Sequence, residues 1–301
     1  MTFHVATVQS SPSRIQRRAA DFLILTKPRV VLMVLVTTAV GFYLGSPGST
    51  DALRLLHTLL GTALAAGGTI ALNQFLERDG DALMERTRRR PLPEGRMEPG
   101  QALAFGAGIT VGGILYLALW VDVPTSLVTA LTVGSYLLLY TPLKRKTSLC
   151  SMPGAVSGAL PPVAGWVAAR GDFGPGAWIL FTILFLWQIP HSLAIAWLFR
   201  SDYARAGIRL LPVIEPDGAS TGRQVVTYSL ALLFVGLVPT LIGLTGWLYF
   251  FGALTLGVSL LACGVMLAVF RSMADARRLL YASLVYLPIL LVLMALDKSP
   301  F

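Results

Sequence analysis

The sequence predicts an all-α membrane protein, a polytopic bundle of nine transmembrane helices. The chain has 301 residues, of which 55% are hydrophobic and only 13% are charged. A helical crossing needs about 20 apolar residues, so the chain has room for roughly nine to eleven spans and no large soluble domain. The apolar runs lack the alternation of barrel strands, which leaves helices as the means of satisfying the backbone in lipid.

Nine apolar runs bounded by charges, Gly or Pro define the predicted spans. In chain order they are 28–45, 53–76, 101–120, 123–140, 152–169, 176–199, 225–244, 247–270 and 279–296. Residues 1–25 are polar and lack the apolar core of a signal peptide, so they are expected to form a mobile cytoplasmic tail. The remainder, 26–301, is expected to be a single domain. Glycine-rich stretches in the second and third spans predict close helix packing at Gly61, Gly67, Gly68, Gly106, Gly108, Gly112 and Gly113.

The basic residues predict the orientation of the bundle. With nine spans and a cytoplasmic amino terminus, 21 of the 24 Lys and Arg residues lie on the cytoplasmic side. Arg54, Arg170 and Lys298 alone fall on the other side, together with the carboxyl terminus. The net charge of +9 therefore indicates membrane topology, and the absence of a basic, aromatic-interleaved face argues against nucleic acid as a partner.

An acidic stripe follows the second span. Asn73, Glu77 and Asp81 are spaced four residues apart and share one face of a continuing helix, whereas Asp79 points elsewhere if the helix runs through Gly80. Oxygen donors in this arrangement suit Mg²⁺ bound together with substrate phosphates. The same loop supplies the cations that a diphosphate needs, which are Arg86, Arg88, Arg89, Arg90 and Arg96. The competing interpretation is a solvated, charge-balanced loop.

Two further clusters lie at the predicted cytoplasmic end of the fourth span and within the sixth span. Lys144 follows Tyr140 by four residues and has the reach to bind a phosphate, although three consecutive bases there are also typical stop-transfer charges. His191 lies within the sixth span, next to Pro190 and between Gln188 and Ser192, which are spaced four apart. A polar group at that depth usually faces a cavity or a partner, so this segment predicts either a polar pocket or a structural histidine.

These motifs resemble the UbiA family of intramembrane prenyltransferases, and within it the branch that farnesylates haem. The resemblance covers nearly the whole chain. It includes the motif 26–30, the acidic stripe with 86–87 and 90–92, the segment 140–144, the segment 158–166 and the block from Trp187 to Pro212. Glu77 stands where the family usually has Asp, and Ala206 stands where quinone enzymes tend to have a second Asp after Asp202.

The resemblance implies farnesyl transfer from farnesyl diphosphate to a vinyl group of haem B, giving haem O, in the cell inner membrane with a cytoplasmic active site. It implies Mg²⁺ on Asn73, Glu77, Asp81 and Asp202, with Lys144 among the catalytic residues. It also implies substrate contacts from Arg86, Arg90, Tyr140, Gln188, His191, Ser192 and Tyr203. Haem A synthase and terminal oxidase assembly are the implied protein partners.

Two other functions compete with this prediction. A quinone or chlorophyll prenyltransferase would share the fold and the acidic stripe but would prenylate a different acceptor. A transporter of an anionic lipid or metabolite would use the same basic cavity, work without Mg²⁺ and leave no covalent product.

Overall fold

The computed structural model describes residues 14–299, and within that range the chain is helical with short connections. The helices are α1 (Arg14–Thr26), α2 (Pro28–Gly45), α3 (Ala52–Asp81), α4 (Pro99–Trp120), α5 (Val123–Gly134), α6 (Thr141–Leu143), α7 (Ser151–Arg170), α8 (Pro175–Leu198), α9 (Arg200–Arg205), α10 (Leu211–Ile214), α11 (Ala219–Leu241), α12 (Trp247–Phe270) and α13 (Met273–Leu296). A π-helical segment, Ser135–Tyr140, joins α5 to α6.

Eight helices of the described chain are long and apolar enough to cross a membrane, with α5, the π segment and α6 forming one of them. The protein is therefore a multi-pass membrane protein. The remaining predicted span, 152–169, is helical as α7, but small and polar residues lower its mean hydropathy, and it lies inside the bundle. Nine crossings and the orientation of the termini remain predictions.

The amino-terminal segment differs from the predicted mobile tail over 1–25. Residues 1–13 lie outside the described part of the chain, but residues 14–26 form helix α1. Leu25 is fully buried, and its carbonyl accepts a hydrogen bond of 2.5 Å from the Gln74 side chain of α3. Asp21 is also buried and forms an ion pair with Arg96. The apolar side chains at the end of this segment thus pack against α3. The prediction of a mobile tail relied on the polar residues at the beginning of the segment and overlooked these apolar ones.

Helix α7 lies at the centre of the bundle, against α2, α5 and α8. A Cβ atom built on Gly165 of α7 would lie 1.9 Å from the carbonyl oxygen of Thr38, and one built on Gly41 of α2 would lie 2.0 Å from that of Pro162. These two helices therefore touch backbone to backbone, an approach that glycine alone permits.

The predicted glycine contacts between the second and third spans are partly confirmed. A Cβ atom on Gly68 would meet Gly106 and Thr110, and one on Gly113 would meet Ala65 and the carbonyl oxygen of Gly61. The expectation was wrong for Gly108 and Gly112, since no atom of the described part of the chain lies within 4 Å of a Cβ added there, apart from their own helix and chain neighbours. At 100° per residue these two glycines lie on the far side of α4 from Gly106 and Gly113.

Candidate active site

The acidic stripe lies at the carboxyl end of α3, as the sequence predicts. Helix α3 continues to Asp81, so Asn73, Glu77 and Asp81 share one face. The side chains of Glu77 and Asp81 are 18% and 2% exposed, whereas that of Asp79 is 80% exposed and pairs loosely with Arg78 at 3.8 Å. The helical spacing therefore separates two inward carboxylates from a solvated one.

Each inward carboxylate is bound by a base from another segment. Lys144 Nζ donates to Glu77 Oε1 at 2.8 Å and lies 4.2 Å from the centre of the Tyr140 ring. Burial works against the charged Lys144 ammonium, but its neighbours Tyr140 and Glu77 outweigh burial and raise the pKa of Lys144 above its usual value. Arg90 Nη1 donates to Asp81 Oδ2 at 2.5 Å.

The loop after α3 brings Arg90 back to the helix end. The hydroxyl of buried Thr87 donates to the Asp81 carbonyl oxygen at 2.8 Å, and the Arg90 amide donates to the Thr87 carbonyl oxygen at 3.0 Å. This local turn closes the chain on itself within nine residues. The backbone geometry of this turn therefore brings Arg90 to Asp81. A run of arginines in the sequence does not show which of them makes this contact.

Asn73 lies deeper along the same face. Its Nδ2 donates to Thr141 Oγ1 at 3.1 Å, and the Thr141 hydroxyl donates to the Tyr136 carbonyl oxygen at 2.8 Å. The latter bond spans five residues and belongs to the π-helical segment, a feature that is frequent at functional sites. The wider turn sets the position of Tyr140 and Lys144 relative to α3.

Lys27 is a site residue that the sequence reasoning missed. It lies between α1 and α2 with a left-handed backbone, φ 47°, immediately before Pro28. Burial and then the nearby Arg90 charge lower its pKa to about 8, while Asp81 opposes that shift. The motif 26–30 contains Lys27 and was the one feature of the sequence that pointed to this residue. No sequence pattern connected it to the acidic stripe, which lies about 50 residues further along the chain.

A small cavity lies beside the two inward carboxylates and Lys144. It is lined by Glu77, Gly80, Asp81, Met84, Lys144, Arg145 and Ile208. Within residues 14–299 no group of three or more His, Cys, Asp or Glu side chains is close enough to hold a metal ion, so Asp202 does not join Glu77 and Asp81 in this conformation. The structure thus assembles the two carboxylates of α3 with their bases and leaves the fourth predicted ligand apart.

Asp202 and Tyr203 lie on the short helix α9. Asp202 is buried and forms an ion pair with Arg205. Arg86 Nη2 donates to the Tyr203 hydroxyl at 3.3 Å, and its guanidinium group lies 5.2 Å from the Phe199 ring centre. Arg86 therefore contacts the α9 side of the site, whereas Arg90 contacts α3.

The block around His191 lies on α8. Its ring stacks on that of Trp187, with centres 4.7 Å apart, and its Nδ1 lies 2.8 Å from the Ser283 hydroxyl oxygen of α13. Gln188 donates to the Ala155 and Leu184 carbonyl oxygens at 3.3 and 3.1 Å. Ser192 is exposed and bonds to Ile189 of its own helix, so it and Gln188 have separate surroundings despite their spacing.

Fold and site together define a membrane-embedded helical bundle with an acid and base cluster at one end of its helices. The UbiA prenyltransferase family model matches residues 34–296. The chain belongs to this family, and it is therefore a prenyltransferase.

Individual relatives agree with the family assignment. Protoheme IX farnesyltransferase from Solibacter usitatus (strain Ellin6076) is 48% identical over 287 residues, covering 92% of this chain and 98% of the relative. A solved structure of digeranylgeranylglyceryl phosphate synthase has a TM-score of 0.78 at 14% identity, covering 93% and 98% of the two chains. A UbiA homologue from Archaeoglobus fulgidus, bound to GPP and Mg²⁺, has a TM-score of 0.65 at 16% identity, covering 91% and 99%.

Proposed function

We propose that this protein transfers a farnesyl group from farnesyl diphosphate to a vinyl group of haem B, forming haem O. One observation supports farnesyl diphosphate as the prenyl donor. Glu77 pairs with Lys144 and Asp81 pairs with Arg90 beside one cavity. The acceptor follows from the Solibacter usitatus relative, which is named a protoheme IX farnesyltransferase and matches nearly the whole chain. That name does not favour a quinone or chlorophyll acceptor.

Magnesium fits the donor set at the end of α3. Glu77 and Asp81 each use one oxygen in an ion pair, and the second oxygen of each makes no hydrogen bond within the described residues. These free oxygens and the Asn73 amide oxygen are the proposed ligands on α3, since Mg²⁺ binds through one or two carboxylates plus substrate phosphates. Asp202, which lies apart from them in the described structure, is the ligand proposed on α9. Bound there, the ion would neutralise charge on the diphosphate.

The bases of the site act on the leaving group. As the allylic C–O bond breaks, its electron pair passes to the diphosphate, and Lys144, Arg90 and Lys27 stabilise the charge that develops. The vinyl carbon attacks the farnesyl carbon and forms the new C–C bond. Water then adds to the resulting cation beside the porphyrin and loses a proton, leaving a hydroxyl. Apolar helices exclude water from the first cation.

The placement of the enzyme is part of the proposal. The site lies at the bundle end that carries the loops 82–98 and 206–210, where the basic residues concentrate. By the positive-inside rule this end faces the cytoplasm of a cell inner membrane. The product would pass to haem A synthase or to terminal oxidase assembly.

The test is product analysis with the purified protein in detergent or liposomes. With haem B, farnesyl diphosphate and Mg²⁺ we expect a haem carrying one farnesyl group and one hydroxyl, identified by mass spectrometry. Unchanged haem together with prenylation of a hydroxybenzoate would overturn the acceptor. Movement of a substrate across liposomes without Mg²⁺ and without a covalent product would overturn the enzyme in favour of a transporter.

A further inference from the structure

Ser283 of α13 holds two aromatic side chains of α8. It is fully buried, its hydroxyl oxygen lies 2.8 Å from His191 Nδ1, and its carbonyl oxygen accepts from Trp187 Nε1 at 2.9 Å. Trp187 and His191 stack on each other at an interplanar angle of 18°. One residue of a neighbouring helix therefore fixes both the position and the plane of the imidazole ring.

The hydrogen bonds of Ser283 determine which nitrogen of His191 carries the proton. A serine hydroxyl has one hydrogen, and that of Ser283 is donated to the Leu280 carbonyl oxygen at 2.7 Å. Ser283 Oγ must therefore accept from His191, so Nδ1 carries the proton. In the neutral ring Nε2 then keeps its lone pair, and it makes no hydrogen bond within the described residues.

Helix α7 connects the segment of α8 that carries His191 to the site around Lys144. A Cβ atom on Gly154 would touch the Tyr140 ring at 2.8 Å, and one on Gly158 would lie 2.0 Å from Gln188 Oε1. The two glycines are one helical turn apart on the same face, a rise of about 6 Å. Tyr140 belongs to the site around Lys144, and Gln188 precedes His191 by three residues on α8. The two clusters are thus adjacent along one helix face.

We propose that His191 Nε2 is an axial ligand of the iron of bound haem, and that Ser283 is the positioning residue that holds this tautomer. The proposal rests on the proposed function, which makes haem the acceptor. A neutral imidazole that donates through Nδ1 and binds a metal through Nε2 is the usual arrangement of a ligating histidine. Iron held there places the porphyrin next to α8, the helix whose Gln188 packs against α7.

The same hydrogen bonds argue against a propionate contact. A propionate accepts hydrogen bonds, and an Nε2 without a proton has none to donate. Orientation of the attacking water by Nε2 is the other role compatible with this tautomer. It differs from iron binding in requiring no interaction with the metal, and the experiment below separates the two.

His191→Asn is the decisive variant. The Asn amide nitrogen can replace Nδ1 as donor to Ser283, but the side chain has no atom at the position of Nε2. Titration with haem and with metal-free protoporphyrin IX, followed by absorption and electron paramagnetic resonance spectra, reports the iron ligand directly. We expect the histidine-ligated haem spectrum in the wild type and its loss in His191→Asn, with protoporphyrin affinity unchanged.

Ser283→Ala tests the positioning role. It leaves the carbonyl that binds Trp187 and removes the tautomer constraint, so haem affinity should fall about tenfold while protoporphyrin affinity stays constant. The matched controls are His57→Asn and Ser229→Ala. His57 stacks on Trp120 near the other end of α3, and the buried Ser229 hydroxyl has no hydrogen-bond partner among residues 14–299. Both should retain the wild-type haem spectrum.

The outcomes separate this proposal from the proposed function. If the wild type makes farnesylated haem but His191→Asn keeps the haem spectrum and affinity, iron ligation is overturned and the function stands. Equal losses of haem and protoporphyrin affinity in His191→Asn would likewise overturn it, in favour of a structural histidine. If the wild type makes no farnesylated haem, the proposed function fails, and the spectra still decide the iron ligand.

Discussion

Glu77, Asp79 and Asp81 are three acidic residues within five residues of helix α3. Only the face of the helix on which each side chain lies distinguishes Glu77 and Asp81 from Asp79. We predict that Glu77→Gln and Asp81→Asn each lower turnover by about 100-fold or more, since each replaces a charged oxygen ligand of the proposed Mg²⁺ site with a neutral amide. Asp79→Asn, at an 80% exposed side chain, should retain near wild-type turnover. Product formation at saturating farnesyl diphosphate and Mg²⁺ is the measurement.

Thermal unfolding in detergent serves as the control for these variants. Asp81 is bound to Arg90, so Asp81→Asn is also expected to cost about 1 to 3 kcal/mol of stability by leaving a half-buried cation unpaired. Turnover measured well below the melting temperature separates this loss from the catalytic one. Small and equal effects at all three acids would mean that the stripe is only a solvated face.

Lys27 predicts a pH dependence of diphosphate binding. Its pKa is lowered to about 8, so its ammonium is present below that pH and is lost above it. The affinity for farnesyl diphosphate, measured without Mg²⁺, should therefore weaken as the pH rises from 7 to 9. Lys27→Met should bind farnesyl diphosphate weakly at both pH 7 and pH 9. Lys27→Arg stays charged over this range, so its affinity should remain at the level of the wild type at pH 7. An unchanged slope in Lys27→Arg would contradict the assignment to Lys27.

At the scale of elements, the contact of α2 with α7 depends on glycine. Gly165→Ala places a methyl group 1.9 Å from the Thr38 carbonyl oxygen, so the helices must separate, at a cost of about 1 to 3 kcal/mol. Gly112→Ala, at an open position of α4, should unfold at the wild-type temperature or above. Melting curves of the two variants in one detergent compare them. Equal melting temperatures would show that α2 and α7 tolerate separation.

Elements also show where sequence reasoning succeeds and where it ends. The apolar runs predicted the helices because lipid leaves the backbone no alternative, and the continuation of α3 beyond its apolar run to Asp81 was expected from the spacing of the stripe. The stripe on α3 was predictable because helical periodicity fixes its face. Three features depend on tertiary contacts that no local pattern encodes: the π-helical turn before Thr141, the left-handed Lys27 and the hydrogen bond from His191 to Ser283.

The whole molecule has two chemically different ends. At the end opposite the site, Arg54 binds Asp122 at 2.6 Å and the Ala168 carbonyl oxygen, while Lys298 Nζ donates to the carbonyl oxygens of Tyr43 and Ser46 at 2.7 Å each. The three basic residues predicted for the outer side therefore include two that tie helix ends together. Basic residues at this end bind helix ends, whereas those at the other end surround the proposed diphosphate site, a distribution that supports the proposed cytoplasmic orientation of that site.

The orientation can be tested with two single cysteines at opposite ends of the bundle. Ser49 follows α2 and Glu98 precedes α4, and both side chains are exposed without a hydrogen bond in the described structure. In a Cys263→Ser background, where Cys150 is fully buried, a membrane-impermeant maleimide should label Ser49→Cys in intact spheroplasts and Glu98→Cys only after lysis. The cysteine-reduced parent chain, which should stay unlabelled, is the control. The reverse labelling pattern would place the site outside the cytoplasm, where the basic loops of the site end would contradict the positive-inside rule.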